Sequence, residues 1–203
     1  MAITKAEIVV VLNSRLKRAE TETTIAEEMR SALWDLSRIA AWPDLHHYAT
    51  EVVTSGTQYA SYPTDFRLLD RLVINDGTYD YEPLGRMNFD EWLLYRDQES
   101  SSNYDQPEFY SQRAKKFYLQ PIPDASYTVK TWFWRYQPDS DTLLFSDQFR
   151  EAIYNATMKK YLESKGLEKS VRYDQISNIY DRELGILLPE ADGDPTIVPF
   201  RDI

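Results

Sequence analysis

Residues 103–136 constrain the fold of this chain more than any other stretch. They read N-Y-D-Q-P-E-F-Y-S-Q-R-A-K-K-F-Y-L-Q-P-I-P-D-A-S-Y-T-V-K-T-W-F-W-R-Y. Three runs, 107–112, 116–120 and 127–136, are dense in aromatic and β-branched side chains, which suit a pleated, half-buried surface. Arg113-Ala114 and the stretch from Pro121 to Ser126 supply turns between them. Strands are therefore expected at the centre of the fold.

On both sides of this block the hydrophobic period becomes helical. Thr4 and Glu7 form a capping-box pattern ahead of Ile8, Val11, Leu12 and Leu16, which predicts a helix over 4–17. Thr24 and Glu27 repeat the pattern before Ile25, Met29, Ala32, Leu33, Leu36, Ile39 and Ala40, the clearest amphipathic segment, which ends before Pro43. A short polar link between the two suggests a helical hairpin. Near the other end, Ser146 or Asp147 can cap a helix over 149–165, closed by Gly166, and a further helix is expected over 168–184.

Between the helices the period is two. The runs 48–54 and 57–62, split by Ser55-Gly56, read as a hairpin. The apolar run 68–74 is a strand that turns at Asn75-Asp76-Gly77 and returns through 79–84. Asn88 caps a short helix carrying Phe89, Trp92, Leu93 and Tyr95, and the polar run 98–105 reads as a mobile loop. The expected fold class is α+β. N- and C-terminal helices, 1–45 and 146–186, form an antiparallel bundle. A β-rich domain over 46–145, as an antiparallel sheet or small sandwich, holds one short helix near 88–97. The proline-bearing segment 187–203 is an extended C-terminal arm.

Composition removes several function classes. The 203 residues include no Cys, so disulfides, thiolate metal sites and a Cys nucleophile are excluded. A net charge of −10 disfavours tight binding to a phosphate backbone, which relies on Lys and Arg displacing counterions. No signal-peptide core and no apolar run of membrane-spanning length is present. His46 and His47 are adjacent and so point to different sides of any regular element. Carboxylate pairs such as Asp90/Glu91 and Asp139/Asp141 fit solvated loops and helix starts. Pro123-Asp124 with Lys130 imitates a nuclease pattern, but Thr128 stands where its second carboxylate belongs. No phosphate-binding glycine loop, nucleophile elbow or zinc-protease motif occurs. No catalytic, cofactor or metal-binding residue is assigned, and the chain reads as a protein without enzymatic activity.

Three features remain. Trp132, Trp134 and Tyr136 share one strand face, with Phe133 opposite; core packing is the usual role, and a stacking platform for sugars or bases the alternative. Arg113, Lys115, Lys116, Lys130 and Arg135 make the β-region less acidic than the rest. The end of the chain offers Leu187, Leu188, Pro189, Ile197, Val198, Pro199 and Phe200, either strapped across their own domain or ordered on a partner.

In order and spacing, Y-P-T-D-F-R-L-L-D-R-L-V-I, the Trp92 segment, P-E-F-Y, K-F-Y-L-Q-P-I-P-D, Y-T-V-K-T-W-F-W-R-Y and D-Q-F-R-E-A-I-Y-N-A-T-M-K-K-Y-L-E resemble the head–tail adaptors of tailed bacteriophages, the podovirus group typified by tail tubular protein A. The likeness covers about 62–162. The chain departs from the pattern at the turn Gln112-Arg113-Ala114-Lys115, where the family often has Gly. The resemblance implies a structural virion protein with no cofactor, made in the bacterial cytoplasm. Such proteins form a homo-oligomeric ring, commonly a dodecamer, below the portal, contact a downstream tail or nozzle protein, and let double-stranded DNA pass without sequence-specific binding or any membrane contact. It also implies portal docking by the arm residues named above. The competing function is a carbohydrate- or host-surface-binding module, which needs exposed faces on Trp132 and Trp134.

Overall fold

A computed structural model describes residues 2–98 and 103–190. The chain divides into two compact units, Met1–His46 with Arg135–Ile203, and His47–Trp134.

The first unit is helical. Helix α1 (Lys5–Leu16) starts at Thr4, whose hydroxyl accepts from the Glu7 amide at 3.3 Å. The reciprocal half of the capping box is missing. The Glu7 carboxylate reaches across to the Tyr154 hydroxyl at 2.6 Å and to Arg150. Helix α2 (Ala26–Ile39) has no side-chain cap. The expected Thr24–Glu27 box is replaced by a 3-10 turn over Thr23–Ile25, in which the Thr24 hydroxyl accepts from the Thr21 amide and donates to Glu20. Glu27 pairs instead with Arg30.

Helices α1 and α2 make their main contacts with helix α4 (Arg150–Ser164) rather than with each other, so the expected hairpin does not form as a packed pair. Helix α5 (Val171–Leu187) also packs on α4 and begins at Ser170, which accepts from the Tyr173 amide at 3.1 Å. Burial all round α4 explains why its sequence lacks a clean apolar stripe. The polar side chains in that buried helix bond back one turn: Thr157 to the Ile153 carbonyl and Asn155 to that of Glu151, both at 2.9 Å. Trp42 lies in the same core, its indole donating to the Leu36 carbonyl at 2.7 Å and its ring edge-on to Phe149.

Two findings revise the arm boundary. Helix α5 runs to Leu187, and Leu188–Glu190 continue as a 3-10 turn. Leu187 is buried in the helical core and Leu188 packs against it, because burying two leucines outweighs leaving them extended in water.

The second unit holds two sheets. Strands β1 (His46–Val53), β7 (Tyr127–Arg135) and β3 (Phe66–Asn75) form one, in the order β1-β7-β3. Strands β2 (Tyr59–Ser61), β6 (Lys116–Gln120), β5 (Phe109–Arg113) and β4 (Gly85–Arg86) form the other, in the order β2-β6-β5-β4. The 103–136 block is thus shared between two sheets. The expected 48–62 hairpin is also divided: Thr57 does bond back to Thr54 across Gly56, but β1 pairs with β7 and β2 with β6. A tight turn reverses the chain without dictating which strand it then joins.

The Asn75–Gly77 hairpin turn forms as expected. Asp76 accepts from the Thr78 and Tyr79 amides, and the return segment donates from Tyr81 to Ile74 and from Leu84 to Leu72. The β5–β6 turn is made by Ala114 and Lys115, both at positive φ (49° and 60°), a role ordinarily given to Asn-Gly. Helix α3 (Phe89–Gln98) is anchored by buried Trp92, whose indole donates to the Leu119 carbonyl at 3.0 Å. Most of the polar stretch read as a mobile loop, residues 99–102, lies outside the described residues.

Candidate assembly surfaces

The chemistry-bearing residues in the sequence are separated by the fold. Asp124 accepts from the Tyr127 hydroxyl at 2.7 Å, while Lys130 pairs with Asp80 at 2.5 Å, so the nuclease-like spacing places no two groups together. His47 sits edge-on to Phe133 at 5.7 Å. Asp90 and Glu91 occupy the first turn of α3, where carboxylates favour the helix dipole. Asp139 is held below the ordinary carboxylate range by its hydrogen bond from Lys5. Among the described residues no group of His, Asp and Glu is arranged to hold a metal ion, and no helix is long and apolar enough to cross a membrane.

The aromatic strand face is internally occupied. The Arg71 guanidinium lies over the Trp132 ring at 4.6 Å and Tyr48 packs on that ring at 4.9 Å. Trp132 and Trp134 are both half-buried, and Tyr136 packs against Trp34 at 5.6 Å. A sugar would have to displace Arg71 and Tyr48 to stack on Trp132. Three of the β-region cations are similarly engaged: Lys130 pairs with Asp80, Arg113 covers Phe89 and Lys116 covers Tyr59, the last two within cation–π range.

In the helical unit, tyrosine–carboxylate pairs tie distant parts of the chain together. Tyr154 donates to Glu7 and Tyr161 to Glu20, both at 2.6 Å, and Tyr173 donates to Glu163 at 2.8 Å. The carboxylate partner and burial push the Tyr173 hydroxyl up to about 12. Glu20 moves the other way, lowered chiefly by the hydrogen bond from Tyr161 and then by that from Thr24.

Outward, the helical unit shows exposed apolar side chains in two places. One is a mixed polar and apolar cleft of about 220 Å³ where the exposed Trp34 of α2 stands beside Pro138 over the buried Met29 and Leu33, rimmed by the Lys5–Asp139 and Arg30–Glu27 pairs. The other is a row of aliphatic side chains on α5. Of the arm residues expected to bind a partner, Leu187 and Leu188 are packed into their own unit, Pro189 is exposed, and Ile197, Val198, Pro199 and Phe200 lie outside the described residues. Sequence reasoning passed over both apolar surfaces. The exposed face of α5 could have been found by asking which of its aliphatic residues fall off the buried side of the helical wheel.

The model of the SU10 adaptor protein family matches residues 6–199. The chain belongs to this family. As an SU10-family adaptor it is a structural component of a bacteriophage virion, and the family is not one of enzymes. No curated protein matches the adaptor's sequence.

Proposed function

We propose that this chain is the ring-forming subunit of a tailed-phage neck. Copies, commonly twelve in such adaptors, sit below the portal, join head to tail, and extend the channel through which DNA leaves. The family match over nearly the whole chain carries this reading. The charge supports it: a ring of subunits each carrying −10 repels a phosphate backbone, so DNA slides past without sequence-specific binding. The terminal helices act as an antiparallel bundle at the portal, and the β-rich unit faces outward or toward the downstream tail or nozzle protein. Pro189 and the arm residues Ile197, Val198, Pro199 and Phe200 dock on the portal. Leu187 and Leu188, packed in the helical core, anchor the root of that arm.

Sedimentation of the full chain with and without portal tests the assignment. A stoichiometric ring–portal complex is expected, and deletion of 191–203 is expected to abolish portal binding while leaving the helical signal unchanged. A chain that neither self-associates nor binds portal would sink the reading. A map of the neck in which 191–203 touch only their own subunit would remove the docking role alone.

A further inference from the structure

Helix α5 carries an apolar stripe that no described residue of its own unit covers. Val171 is 74% exposed, Ile179 37% and Ile186 60%. At about 100° per residue these three fall within an arc of about 80° on the helix. The buried Ile176, Tyr180 and Leu187 are centred about 110° further round. The stripe therefore points outward. Gln175 and Arg182 share its arc, so in a chain of net charge −10 the stripe's one charged residue is a cation. Arg182 is itself exposed and among the described residues pairs only with its neighbour Glu183 at 3.2 Å, a contact that holds it weakly.

The Trp34 cleft is complementary in charge and offers one exposed aromatic side chain. It is a recess floored by Met29 and Leu33, with Trp34 standing 52% exposed at its side. Tryptophan is among the residue types enriched where binding energy concentrates at protein interfaces. The lining holds three carboxylates, Glu22, Glu27 and Asp139, against two cations, Lys5 and Arg30. Glu27 and Asp139 are paired, whereas Glu22 has no ion pair among the described residues. A ridge bearing one cation thus meets a recess with one carboxylate in excess.

The two surfaces cannot meet within one copy. Ala32 and Ile39 of α2 pack toward α5 through Tyr180 and Leu184. Trp34 stands about 160° around α2 from Ala32, so α2 separates the cleft from α5. Different patches on one subunit that fit each other join copies head to tail, and such contacts close into rings when the rotation allows.

We propose that the α5 stripe of one copy seats in the Trp34 cleft of the next, with Val171, Ile179 and Ile186 against Trp34 and Leu33, and Arg182 against Glu22. The proposal rests on the ring-forming reading above and names the surfaces that build the ring.

The chain has no cysteine, so a single introduced pair reports the contact cleanly. Full-length chain carrying both Arg30→Cys and Gln175→Cys is expected to give, on mild oxidation, a ladder of covalent multimers, while each single variant stays uncrosslinked. Arg182→Glu is expected to weaken self-association at least about tenfold, and Glu22→Arg in the same chain to restore it. Absence of the ladder from a double variant that still sediments as multimers overturns these surfaces and leaves the ring reading standing. A disulfide dimer from either single variant signals a two-fold contact and overturns the head-to-tail arrangement. A chain that stays monomeric at every concentration, with and without portal, and gives no ladder, overturns both. Loss of portal binding by Arg182→Glu with self-association intact assigns the stripe to portal and overturns the proposal.

Discussion

The helical and β-rich units use aromatic and charged side chains differently. In the β-rich unit the aromatic rings face one another and the nearby cations lie over them: Phe117 sits among Tyr62, Phe66 and Tyr110, and Trp132 between Tyr48 and Arg71. Its carboxylates act mostly at short range, as Asp76 does within its own hairpin turn. In the helical unit the polar contacts span the chain. Arg15 forms a two-pronged bond to Glu151, Lys160 reaches Asp35, and Glu7 and Glu20 meet tyrosines more than a hundred residues away. The contrast follows from topology. A β-unit formed from one continuous stretch closes on itself through ladders, whereas a helical unit made from both ends of the chain must hold those ends together.

The largest effect expected from this difference is in the cores. Trp42→Ala and Phe117→Ala each remove a fully buried ring and should each cost about 3–5 kcal/mol. Hydrogen exchange is expected to show protection lost in α4 for the first and in β6 for the second. Equal loss in both units from either variant would mean that the two unfold as one, and the comparison would fail.

A smaller effect tests the close packing of the β-rich unit. Strand β4 is paired in parallel with β5, and a methyl group on Gly85 would meet the Phe109 ring at 2.7 Å. Gly85→Ala should therefore destabilise by about 1–3 kcal/mol, read as a lowered melting temperature. The flexible, exposed Phe109 sets how much of that cost is relieved, so Gly85→Ala with Phe109→Leu should recover part of it.

The smallest effect sharpens the contrast in polar contacts. Glu20 ionises more readily in the folded state than its ordinary value of 4.5, so its contribution is fully present above that pH and is lost as pH falls through the lowered value. Tyr161→Phe deletes the main cause of the shift. The variant should lose stability at neutral pH and show a flatter decline than the parent on acidification below pH 4.5, in melts followed by circular dichroism. Parallel curves for variant and parent would show that this bond does not contribute to acid sensitivity.

Local signals were legible without the fold. Thr4 begins α1, Asn75-Asp76-Gly77 turns the hairpin, Trp92 marks α3, and the helical period persists through α2. Each depends on residues within a turn or two of one another. The Thr24–Glu27 box failed although its spacing is right, because the Thr24 hydroxyl found Thr21 and Glu20 first. Nothing local distinguishes a donor amide one turn ahead from one in the preceding loop.

The amino-acid sequence by itself determined the order of helix and strand, the absence of thiol chemistry, and the adaptor family. Those depend on periodicity, composition and ordered motifs, which are properties of the chain read along its length. Tertiary structure alone decided that the 103–136 block serves two sheets, that Leu187 closes a core, and which face of α5 stays bare. Strand partners and exposed faces are set by contacts between residues far apart in sequence, where the same apolar side chain satisfies a core or an interface equally well.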